Sequence, residues 1–157
     1  MKTLRCLAIL ILGLCLGHGS VTAEPAGQAA NEAVDSLEEL REKAEAGNPE
    51  ARYILGAVYY QGKGVPQDYT EAANWLRKSA EQGVADAQLL LGLLYQEGEG
   101  VPQDSVIACK WLNLAVAAGL KEARQDRGSA AAELTRVELD EARRISREWK
   151  PKTPENQ

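Results

Sequence analysis

One internal repeat constrains this chain more than any other feature. Residues 51–83 recur thirty-six positions later as residues 87–119, at a single offset and without a gap. Ala51, Leu55, Gly56, Tyr59, Gly62 and Gly64 pair with Ala87, Leu91, Gly92, Tyr95, Gly98 and Gly100. Val65-Pro66-Gln67-Asp68 then pairs with Val101-Pro102-Gln103-Asp104, followed by Ala72, Trp75, Leu76 and Gly83 over Ala108, Trp111, Leu112 and Gly119. A period of roughly 20–50 residues marks supersecondary units that bury their apolar faces only by stacking on one another.

Each unit reads as two helices. Asn48-Pro49 is an N-cap followed by a proline in the first turn, where its missing amide costs nothing. The first helix is predicted over residues 49–61, with Ala51, Leu55, Val58 and Tyr59 on one side. Gly56 is expensive inside a helix by about 1 kcal/mol. Its return as Gly92 predicts a neighbouring helix too close for a side chain. Residues 62–68 form a connector in which Gly64 permits an otherwise strained turn, and Asp68 caps the next helix with Glu71 as partner. That second helix is predicted over 69–82, packing through Ala72, Trp75, Leu76, Ser79 and Ala80. In the second copy the same pair falls at 87–96 and 105–118.

The flanks look like ends of the array. Ser36-Leu37-Glu38-Glu39 has the form of a capping box, opening a helix that Gly47 closes. Gly47 stands thirty-six before Gly83, so this helix is the second half of a unit without its first. A third first-type helix starts at Leu120 but puts Arg124-Gln125-Asp126-Arg127 where the repeat pattern should return, as a terminal unit does. Thr135 to Glu138 is another capping box, for a last helix whose stripe is Leu139, Ala142, Ile145 and Trp149. The expected fold is all-α. It is a short right-handed α-solenoid of antiparallel helix pairs, with about two full 36-residue repeats and flanking capping helices.

Residues 1–23 read as a cleaved secretory signal peptide. Lys2 and Arg5 precede an apolar run of eleven, Cys6 to Leu16, and Val21-Thr22-Ala23 offers small residues for cleavage. The run falls short of the ~20 residues that span a bilayer. The expected organisation is then a flexible leader (24–31) and a solenoid domain (32–149), with repeats 48–83 and 84–119 and capping helices over 120–149. A disordered tail (150–157) ends the chain. Cleavage would leave no histidine and one cysteine, Cys109, and would move the net charge from -5 to -7. An acidic exported chain is a poor partner for nucleic acid or anionic lipid, and no stable membrane insertion is expected after cleavage. The expected location is periplasmic or secreted.

The pattern A-x3-LG-x2-Y-x2-G-x-GVPQD-x3-A-x2-WL closely resembles the Sel-one-like repeat (SLR) family, over roughly residues 36–123. That family is related to the tetratricopeptide repeats and is built from stacked antiparallel helix pairs. The resemblance implies an adaptor or scaffold for protein partners, often in the bacterial envelope, without naming one. The ending from Leu134 to Lys150 also resembles the closing helix of small bacterial members.

Catalytic motifs are missing. No histidine would remain as a base tuned near neutral pH, and neither G-x-S-x-G nor S-x-x-K occurs. Glu97 and Glu99 sit beside glycine on a turn without an EF-hand spacing, and read as solvated charge. Cys109 replaces Ala73 and reads as a small buried residue, with pairing to a second chain as the alternative. No enzyme activity, cofactor or metal is expected. The sequence does not fix the oligomeric state, and a monomer is expected.

Carrying over the groove positions of tetratricopeptide-like first helices marks Glu50, Tyr53, Ala57 and Tyr60, then Asp86, Leu89, Leu93 and Gln96. They imply a concave apolar strip with acidic ends, suited to a protein or peptide partner, unless the leader or the last helix covers it. The expected function is a non-catalytic adaptor binding such a partner. The alternatives are a cell-wall factor that binds or acts on peptidoglycan, and a purely structural, self-associating envelope protein.

Overall fold

The computed structural model describes residues 26–153, with side chains from Ser36 onward. The expected signal peptide and the last four residues lie outside the described residues. In order come α1 (Ala26–Glu45), α2 (Pro49–Gln61), α3 (Tyr69–Ala80), α4 (Ala85–Glu97), α5 (Ser105–Ala117), α6 (Ala123–Ala132) and α7 (Arg136–Glu148). The fold is all-α, a short solenoid in which α2–α3 and α4–α5 are the two repeats.

Local chemistry sets the helix ends. The Asn48 side chain accepts from the Ala51 amide at 2.9 Å, and Pro49 opens α2. Gly62 and Gly98 end α2 and α4 with φ of 66° and 71°, left-handed conformations that an L side chain resists. Asp68 accepts from the Thr70 and Glu71 amides at the start of α3, and Asp104 accepts from Ile107 at the start of α5. Thr135 and Glu138 close a complete capping box before α7, while at Asp68 the aspartate's half of the exchange is formed.

Successive helices stack on one another, α1 on α2 and onward to α5, which then carries both α6 and α7. Leu55, Leu76, Leu91 and Leu112 are fully buried, one for each repeat helix. The close approach expected at the glycines is present. A Cβ on Gly56 would stand 2.7 Å from Leu76 Cγ, and one on Gly92 would stand 2.8 Å from Leu112 Cγ.

Polar ties between units keep the repeat period. Arg41 donates to the Tyr59 hydroxyl at 2.7 Å, and Arg77 donates to the Tyr95 hydroxyl at 3.0 Å. Arg52 donates to the Ala44 carbonyl, and Gln88 donates to the Ala80 carbonyl. The C-terminal ends of α1 and α3 are thus each tied to the first helix of the following unit.

The flanks differ from expectation in two places. α1 begins at Ala26, so it runs through most of the expected flexible leader, and Ser36 lies inside the helix rather than at its cap. Its opening AGQAANEA is rich in strong helix formers, which extend a helix without an apolar stripe. The expected disordered tail is anchored through its described part. The Lys152 amide donates to the Glu81 carbonyl at 2.7 Å, and its ammonium pairs with the Glu81 carboxylate at 2.7 Å.

Trp149 leads that tail back. It meets Trp111 edge to face with ring centroids 6.3 Å apart, and both Trp149 and Pro151 pack over Gly83. Trp149→Ala is expected to cost about 2 kcal/mol, below the range for a fully buried tryptophan because this one is half-buried. Urea denaturation checks the value. Hydrogen exchange should show the Lys152 amide losing protection in the same variant.

Candidate partner-binding groove

The first helices of the two repeats, α2 and α4, pack against each other, and the expected strip lies along them. α7 takes α5 as its packing partner. α1 meets α2 through Leu37 and Leu40, which join Ala44, Ala51, Leu55, Tyr59 and Trp75 on another side of the helix.

Tyr53, Ala57, Tyr60, Leu89, Leu93 and Gln96 are all half-buried, while Glu50 and Asp86 are exposed. Tyr53 and Tyr60 rest on the core cluster that contains Leu76, Leu91 and Trp111. Leu89 instead packs on the neighbouring cluster of α5, α6 and α7, so the third first-type helix, α6, takes up part of its surface. Tyr60 is held edge-on by Tyr69 at 5.6 Å between ring centroids. Gln67 binds the Tyr60 carbonyl and the Tyr69 hydroxyl, at 2.8 and 3.0 Å. This network fixes the Tyr60 ring.

Glu50 and Asp86 stand near Tyr53, and Glu97 and Glu99 near Tyr60. Burial pushes the Tyr53 phenol above its ordinary value, and Asp86 and Glu50 add to the effect. Tyr60 is raised in the same way, by burial first and then by Glu99, Tyr69 and Glu97. None of Glu50, Asp86, Glu97 and Glu99 makes an ion pair with a described residue. Gln96 takes the place of Tyr60 in the second repeat, and its side-chain oxygen is buried without a hydrogen-bond partner.

Among the described residues no group of His, Cys, Asp or Glu side chains is placed to hold a metal ion. No described helix is long and apolar enough to cross a membrane.

Residues 49–84 and 85–120 each match the Sel1 repeat. The chain is a Sel1-repeat (SLR) protein. It is 36% identical to a protective antigen present in uropathogenic Escherichia coli strains that displays an SLR fold, with a TM-score of 0.69. That match covers 72% of this chain and 24% of the antigen. A Sel1 repeat protein from Oxalobacter formigenes is 48% identical, with a TM-score of 0.56, over 57% of this chain and 26% of its own. This chain therefore spans about a quarter of the length of either protein. No curated protein matches it significantly.

Identity between the two copies hides two sets of ties between units. Arg52 and Gln88 hold equivalent positions and do the same work, yet a search for identity passes over them because the residue types differ. The signal they share is a side-chain N–H at the same offset. Arg41 and Arg77 repeat at the period of thirty-six, but Arg41 lies before the first full unit and so escapes a comparison of the two copies.

Proposed function

We propose that this Sel1-repeat protein is an adaptor of the bacterial periplasm or envelope that binds a protein or peptide segment along α2 and α4. The observation that carries the reading is the strip itself: half-buried Tyr53, Tyr60 and Leu93 between two pairs of unpaired carboxylates. Rigid aromatic rings supply contact area at low entropic cost, and flanking charge selects the partner's ends. The complementary segment has an apolar centre and Lys or Arg on either side. The signal-like residues 1–23 support an exported location.

Selection from a displayed peptide library tests the proposal. The enriched peptides should share that pattern and bind the wild-type protein with salt-sensitive affinity. Tyr60→Glu combined with Leu93→Glu should weaken them at least about 100-fold, roughly the loss of two interface anchors, while circular dichroism shows unchanged helix content. Equal affinity for the folded double variant would move the binding site elsewhere.

A further inference from the structure

Away from the groove, two adjoining hollows open at α5 and α7, the first of them also walled by α6. The first, about 210 Å³, has Cys109 and Asn113 of α5 at its base, Arg127 and Gly128 of α6 on one side, and Leu139 and Arg143 of α7 on the other. The second, about 310 Å³, lies over Leu114 and Ala117 and is edged by Arg143 and Arg147. Asn113 and Arg143 form a wall common to both.

The charge around the first hollow is one-sided. Arg127 makes no ion pair with a described residue, and Arg143 has a single solvent-exposed contact, to Asp140 at 3.3 Å. No carboxylate lines either hollow. Both guanidiniums reach the Cys109 thiol electrostatically: burial pushes the thiol up, and Arg127 and Arg143 pull it partly back. Two guanidiniums around one cavity offer planar donor forks that match a carboxylate.

Gly128 adds an independent observation. It stands in the middle of α6, where glycine is the poorest helix former after proline. A Cβ there would meet no described atom within 4 Å. It lines the first hollow. The second hollow then decides the class of ligand, because Leu114 and Ala117 give it an apolar floor directly beside Arg143.

We propose that the seam of α5, α6 and α7 binds a small amphiphilic carboxylate. The headgroup sits between Arg127 and Arg143, and the aliphatic body lies over Leu114 and Ala117. This site is separate from the groove and does not depend on it.

The full chain titrated with sodium hexanoate or sodium acetate, at constant ionic strength, provides the test. Two-dimensional NMR follows the Asn113 side-chain amide, which bridges Cys109 Sγ and Ser146 Oγ at 3.8 and 3.3 Å. Hexanoate should give saturable shifts confined to the seam, with affinity at least tenfold above that of acetate. Arg127→Gln should lower that affinity at least tenfold. Gly128→Leu, which keeps both arginines and fills the first hollow, should do the same in a chain of unchanged helix content. Unsaturating shifts, equal affinity for acetate, or full hexanoate binding by folded Gly128→Leu would each overturn the proposal.

Discussion

Gly100→Ala is expected to lower stability by more than about 3 kcal/mol, while Gly64→Ala, at the matching place one repeat earlier, costs about 1–2 kcal/mol. Both glycines are left-handed, with φ of 75° at Gly64 and 68° at Gly100, so an added methyl strains the backbone equally at the two sites. The surroundings then separate them. A Cβ on Gly64 would meet no described atom within 4 Å. One on Gly100 would overlap the Tyr69 carbonyl and come within 2.6 Å of the Thr70 amide nitrogen. Those are backbone atoms at the start of α3, and they cannot move aside as a flexible side chain can. Thermal unfolding of the two variants checks the difference, and similar melting temperatures would mean that the second connector does not lean on the first repeat.

The second large effect is a coupled one. Gly92→Val is expected to cost about 2–3 kcal/mol, because its Cβ would press on Leu112 Cγ at 2.8 Å and on the Ala108 carbonyl oxygen at 3.3 Å. Leu112→Ala alone should cost about 2–5 kcal/mol, since Leu112 is fully buried. The double variant should lose at least about 1 kcal/mol less than the two single losses combined, because the valine occupies space that the leucine vacated. A denaturant-based double-mutant cycle measures this. Strict additivity would show that α4 and α5 do not meet at these two residues.

Much of the fold was legible because the two copies agree where packing is tight. Leu55 with Leu91, Gly56 with Gly92, and Asp68 with Asp104 have equivalent surroundings, so their identity in the sequence reports the same contact twice. Gly64 and Gly100 mark where that reasoning stops. They match in sequence and in φ, yet among the described residues only Gly100 is met by an earlier helix. Position in the array is not written in the repeat.

The ends were less legible for a different reason. Ser36 and Glu39 have the spacing of a cap, but the good helix formers before them carry α1 past it. The anchoring of Lys152 at Glu81 joins residues 71 positions apart, outside any periodic pattern. At the groove, the resemblance implied an apolar strip with acidic ends. It could not show that Leu89 shares its surface with the α5–α6–α7 cluster, or that Gln96 buries an unpartnered oxygen, since both depend on α6 and on rotamers.

The return of the chain end to Glu81 also bears on how the array comes apart. A linear stack with only neighbour-to-neighbour contacts opens from its ends, one unit at a time. Here Trp149, Pro151 and Lys152 lie on the last turn of the first repeat, so α4 and α5 are bracketed between that repeat and the end of the chain. The final unit cannot peel away while the bracket holds. Two repeats fastened in this way behave as one cooperative block, and the smallest piece able to open is larger than the smallest piece that repeats.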